Sequence, residues 1–121
     1  MRVFLVAISL IISALGFGQE ADFYCKEKLH KFPKTKAGPV LEHTYLIENR
    51  GTDTLKFTSY KVGCHCTKVF LPEPIAQGKT GDIKLTFETA GKYYQQDRTI
   101  LLYCNTKNEV ETLRFKVFVE E

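Results

Sequence analysis

Through most of this chain, apolar residues fall at every second position. In residues 40–47, Leu41, His43, Tyr45 and Ile47 share one face. In residues 81–88, Ile83, Leu85 and Phe87 alternate with Asp82, Lys84, Thr86 and Glu88, and in residues 110–119 Leu113, Phe115, Val117 and Val119 repeat at the same spacing. A period of two marks strands with one face on a core and the other in solvent, and nothing after the first eighteen residues carries the helical period. Residues 55–62 and 98–104 read as further strands, and a first strand is expected within 23–31. Turn-forming clusters separate them: Asn49-Arg50-Gly51-Thr52-Asp53, Pro72-Glu73-Pro74 and Ala90-Gly91-Lys92. About seven short strands so spaced predict an all-β sandwich, with a closed barrel as the alternative that alternation alone leaves open. No repeat, low-complexity tract or linker divides residues 19–121, which are expected to form one domain.

Residues 1–18 break the pattern. Met1-Arg2 is followed by an apolar run over 3–12 and by Gly16-Phe17-Gly18. This order is that of a secretory signal peptide cleaved between Gly18 and Gln19. The run is shorter than the roughly 20 residues that span a bilayer. No cysteine follows it directly for lipid attachment, since Cys25 lies beyond Glu20 and Asp22. The chain is therefore expected to be exported, periplasmic or extracellular, with no membrane span once the leader is removed.

The formal net charge of +3 falls to +2 when Arg2 leaves with the leader, and both signs are scattered. That balance gives no basis for binding nucleic acid or an anionic membrane. A domain of this size buries only about two-thirds of its unfolded surface, so its core is thin. All four cysteines (Cys25, Cys64, Cys66 and Cys104) lie after the leader. An even number in an exported chain favours oxidised pairs.

Cys64-His65-Cys66 is the one chemically distinctive patch. In an extended strand its two Cβ atoms would stand roughly 6 to 7 Å apart, against the ~3.8 Å of a disulfide. A bond between them requires a sharp turn, which Gly63 would permit. Such a bond would be easily reduced, which is the physical basis for a thiol-redox reading. Two thiolates would also begin a Cu(I) site or half of a Zn site. His65 would point to the opposite face of an extended segment, however, and His30 and His43 have no metal-type spacing to the patch. His43, on an apolar strand face, reads as a half-buried histidine. Scaffold use of the patch is the third reading.

No nucleophile elbow, zinc-protease helix, phosphate-binding glycine loop or matched carboxylate pair is present. Tyr93, Tyr94 and Tyr103 either rim a binding surface or, for the first two, cover the turn after Gly91. The expectation is a non-catalytic module, with no required cofactor, that binds a protein or envelope component through a sheet edge. The alternative is a thiol-redox or metal carrier using Cys64, His65 and Cys66.

The compound pattern Gly63-Cys64-His65-Cys66-Thr67, Pro74-Ile75-Ala76-Gln77-Gly78, Gly81-x-Ile83 and Phe87-x-Thr89-x-Gly91 resembles the secreted bacterial domain of unknown function 1573. Asn49-Arg50-Gly51 with Leu55 fits the same family's N-x-G turn, and the likeness runs from about Phe32 to Val119. The resemblance implies an immunoglobulin-like sandwich without an established biochemical activity. Gln77 stands where the family usually has proline, and Cys104 where it usually has serine before Asn105. Cys25 precedes the shared region. Two cysteines outside the family pattern suggest a Cys25–Cys104 bridge at one end of the sandwich. Its loop closure would be worth about 4 to 5 kcal/mol.

Overall fold

The computed structural model describes residues 20–121, and the expected leader with its cleavage site lies outside the described residues. The alternating segments form strands β1 (Phe23–Tyr24), β2 (Leu29–Lys31), β3 (Thr35–Lys36), β4 (Val40–Asn49), β5 (Phe57–Lys61), β6 (Thr67–Phe70), β7 (Thr80–Glu88), β8 (Tyr94–Cys104) and β9 (Val110–Glu120). One sheet has the order β1-β4-β7-β6 and the other β2-β9-β8-β5, with β3 continuing beside β9. The two ladders stay separate, which decides for a sandwich over a barrel.

Period-two alternation does what it predicted. The inward residues Ile83, Leu85, Phe87, Ile100, Leu102, Leu113, Phe115 and Val119 are all fully buried. Phe87 of one sheet meets Phe115 of the other edge to face, with ring centroids 5.1 Å apart. Tyr45 Oη donates across the interior to the carbonyl of Arg114 at 2.7 Å, giving a buried hydroxyl its partner.

The expected first strand is two strands in different sheets. Phe23 and Tyr24 pair antiparallel with Asn49 and Glu48, whereas Leu29, His30 and Lys31 run parallel to Arg114, Phe115 and Lys116. The charged Lys26-Glu27-Lys28 carries the chain across the exposed side of the sandwich. Pro33, which has no N–H for the ladder, separates β2 from β3. The strand expected from Leu55 starts only at Phe57, because Leu55 exchanges two backbone hydrogen bonds of 2.8 Å with Ile75.

The family-like motif residues hold this frame together. Asn49 is fully buried. Its Nδ2 donates to the carbonyls of Asp53 and Ile75 at 2.7 and 2.9 Å, and its Oδ1 accepts from the N–H groups of Gly51 and Asp22 at 3.0 and 3.2 Å. Asn105 does similar work for β5, accepting from Lys56 N–H and donating to the Thr54 carbonyl, both at 2.8 Å. At the opposite end, buried Thr89 hydrogen-bonds the carbonyl of Pro39 and the N–H of Gly38. Gly78, with φ of 74°, supplies the left-handed residue that lets its N–H reach the Asn49 carbonyl.

Candidate functional site: the disulfide corner

The edge strands β5 and β6 lie on the same side of the sandwich, and residues 62–66 carry the chain from one sheet to the other. At this crossover the backbone turns: Thr67 N–H donates to the Cys64 carbonyl at 3.2 Å, and Glu88 N–H holds the Cys66 carbonyl at 2.8 Å. The turn brings the Cα atoms of Cys64 and Cys66 to 5.1 Å, and a disulfide joins them. Gly63 is not what makes the turn possible. It has no left-handed φ, and a Cβ there would meet open space. The Cys64–Thr67 hydrogen bond closes the turn instead.

The two sulfurs sit in different surroundings. Cys66 is buried at 7% exposure, with its Sγ 3.9 Å from Thr67 Oγ1, while Cys64 is half-buried. Cys66 N–H donates to Cys64 Sγ at 3.1 Å. A depression of about 480 Å³ opens over this corner, lined by Tyr60, Val62, Gly63, Cys64, His65 and Lys68. His65 is exposed in the turn. The bridge closes so short a loop that chain entropy assigns it only about 1.5 kcal/mol. As a staple it is weak.

The expected Cys25–Cys104 bridge is not formed, and both residues are buried thiols. The end of the sandwich was anticipated correctly, but the level was not. Phe57 is the register partner of Cys104, and it is Phe23 that packs edge to face on Phe57, with centroids 6.2 Å apart. Cys25 lies two residues further on, beyond Phe23. Its Sγ donates to the Glu27 carbonyl at 3.5 Å, and burial raises its thiol pKa. Cys104 Sγ lies 3.6 Å from Thr106 Oγ1.

Among the described residues, no group of three or more His, Cys, Asp or Glu side chains is arranged to hold a metal ion. His30 and His43 instead stack on each other across the two sheets, with centroids 3.5 Å apart and planes 9° from parallel. They lie on the β2/β4 side, away from the disulfide. Phe32 meets His30 edge to face and Tyr45 meets His43 in the same way. Desolvation lowers the pKa of both rings, that of His43 further because a charged His30 would face it, while Glu27 opposes the shift.

Both imidazoles therefore prefer the neutral form in the fold. The unfolded chain takes up protons first, so the contribution is intact above the ordinary value of 6.5 and is lost as pH falls below it. Urea titrations over this range should show the wild-type midpoint falling with acidification more steeply than that of His43→Gln. Equal slopes would remove the pair from the account.

Three further features stand apart from this corner, of which only the tyrosines were singled out in the sequence. Phe70 on β6 is 53% exposed, with Lys84 Nζ 6.0 Å from its ring centroid. Tyr93, Tyr94 and Phe118 form a chain of exposed rings, with Tyr103 at the other end of β8. Arg98 sits over the Phe87 ring with its Nε buried and unpartnered among the described residues.

Comparison with solved structures gives the fold independently. The chain superposes on a protein of unknown function from Porphyromonas gingivalis W83 with a TM-score of 0.72 at 12% identity, covering 86% of this chain and 50% of that one. It spans about half the length of that relative. The ASH/PapD-like domain of human CEP192 matches with a TM-score of 0.64 at 16% identity, over 87% and 88% of the two chains. The VesB protease of Vibrio cholerae matches at 0.60 and 10% identity, over 93% of this chain and 34% of that one. No curated protein matches the sequence. A family model described as a protein of unknown function, DUF1573, matches residues 23–119, so the shared region starts at β1 and includes Cys25.

Proposed function

From the premise that this chain belongs to the DUF1573 family and folds as an immunoglobulin-like β-sandwich, we propose that it is an exported, non-catalytic binding module that accepts an extended segment of a partner protein along β6. The observation that carries this reading is the state of the sheet edges. β6 pairs with β7 through an unbroken register from Thr67↔Phe87 to Phe70↔Lys84 and, among the described residues, has no neighbour on its other side. Its backbone is a template for one more strand. β5, the adjacent open edge, is bulged between Phe57 and Ser59, a device that discourages pairing.

The exposed side chains of β6 are Lys68 and Phe70. They suit a segment that alternates acidic and apolar residues. Export rests on the leader-like residues 1–18. No cofactor is required. The non-catalytic reading is supported by the structural work that Asn49, Ile75, Thr89 and Asn105 perform, which accounts for those motif residues without chemistry.

A photo-crosslinking residue at position 68, introduced into the protein in its exporting cell, should form a discrete protein adduct. The same residue at exposed position 112, on the other sheet, should not. Phe70→Asp should weaken the adduct about tenfold or more, as loss of a central aromatic anchor does, without altering the melting temperature. Equal adducts at both positions, or an adduct indifferent to Phe70→Asp, would dismiss the β6 edge.

A further inference from the structure

We propose that Cys64 and Cys66 are an exchangeable thiol–disulfide couple, in which Cys64 is the sulfur that bonds to an external thiol and Cys66 the sulfur that leaves and re-forms the bridge. This activity is independent of edge binding. Its co-reactant is a dithiol or disulfide carried by another protein or a small molecule.

The asymmetry of the pair assigns the roles. Cys64 is half-buried under an open depression, whereas Cys66 is buried against Thr67. Exchange proceeds through attack on the sulfur that can be reached. The Cys66 N–H already points at Cys64 Sγ, so the Cys64 thiolate that is expelled in the second step, or that attacks in the reverse direction, finds a donor in place. His65, exposed in the intervening turn, lines the same depression as Cys64. Cys25 also borders a depression, but it and Cys104 are buried thiols with no bridge to exchange. The small entropic worth of the bridge, together with the backbone anchors at Thr67 N–H and Glu88 N–H, lets it open while the sandwich stays closed.

The exchange balances as follows. A thiolate of the dithiol attacks Cys64 Sγ, forms a mixed disulfide and breaks the Cys64–Cys66 bond, and Cys66 departs with the electron pair and takes up a proton. The second thiolate of the co-reactant then attacks its own chain's sulfur in the mixed disulfide and expels Cys64 as a thiolate, held by the Cys66 N–H until protonated. Two electrons pass from the dithiol, which leaves as a disulfide, to the Cys64–Cys66 pair. The reverse sequence oxidises the pair and reduces an external disulfide.

Dithiothreitol supplies a first test on the full, unmodified chain under native conditions, with acid quenching, alkylation and peptide mapping. Cys64 and Cys66 should become alkylatable together while Cys25 and Cys104 stay protected and the far-ultraviolet circular dichroism is unchanged. A second test uses oxidised glutathione. Cys66→Ser should trap a mixed disulfide on Cys64 about tenfold or more faster than Cys64→Ser traps one on Cys66, following accessibility and stabilisation of the thiolate. A bridge that resists dithiothreitol until the protein unfolds overturns the proposal, as do equal trapping rates in two folded variants. If the variants do not fold, limited treatment of the wild type with reduced glutathione, quenched by acid and alkylation, decides: a mixed disulfide mapped to Cys64 supports the assignment, and one mapped to Cys66, or none, overturns it.

Discussion

Replacing Asn49 with alanine is expected to lower the unfolding free energy by roughly 3 to 5 kcal/mol, from four hydrogen bonds lost together at about 1 kcal/mol or somewhat more each. Four backbone groups from three separate segments converge on this one amide: Asp22 N–H from the entry into β1, Gly51 N–H and Asp53 carbonyl from the following turn, and Ile75 carbonyl from the loop before β7. Asn49 is itself 0% exposed and its bond to the Ile75 carbonyl is buried, while those to Asp22, Gly51 and Asp53 are part-buried. Asn49→Asp should be no milder. It keeps the acceptor, loses both donors and places an unpaired carboxylate in the interior. Urea unfolding of the two variants measures the effect. A loss under about 1 kcal/mol for both would mean that water or other partners replace these bonds.

Gly51→Ala is expected to have a comparable effect by a different route, roughly 3 kcal/mol or more, because there is no space for a methyl group. A Cβ on residue 51 would lie within 3 Å of Glu20 O, Asp22 N and Ala21 C, all main-chain atoms that no rotamer change can move. The N-terminal segment must shift away. In doing so it gives up its backbone hydrogen bonds from Thr52 and Arg50 to Glu20 and Asp22 and the burial of Ala21 and Phe23. Overpacking against backbone and the loss of buried apolar surface add in the same direction. Limited proteolysis gives a specific readout: the variant should be cut within residues 20–28 while the other strands stay protected, and the wild type should not. Because Asn49 and Gly51 hold the same segment, the double variant should lose clearly less than the two single losses combined. Full additivity would show that the two residues act on separate parts of the fold.

The two argued functions differ in how much of each was visible before folding. An open sheet edge was expected, but not which one. The choice of β6 over β5 depends on the bulge at Phe57/Ser59, and a bulge depends on how β5 meets β8. The cysteine pair was visible as a pair, and so was the need for a turn between its members. Its polarity was not, because which sulfur is covered depends on β7 holding Cys66 through Glu88 N–H.

What the sequence by itself determined was local. Alternation assigned an inward face to Ile83, Leu85, Phe87, Leu113, Phe115, Val117 and Val119, because successive side chains of an extended backbone must point to opposite sides whatever the partner strand. The N-x-G and P-I-x-x-G motifs marked their turns through the backbone preferences of single residues, and the compound motif identified the family.

Tertiary structure decided what depends on level and register between distant segments. It put Phe23 rather than Cys25 opposite Phe57 and so left Cys104 unbridged, and it split the first strand between two sheets. It stacked His30 on His43, and it gathered four backbone groups on Asn49. Side-chain parity is set by each residue's own backbone, whereas a displacement of two residues along a strand preserves that parity while moving a side chain by roughly 7 Å. Only the packed sandwich distinguishes one such level from the next.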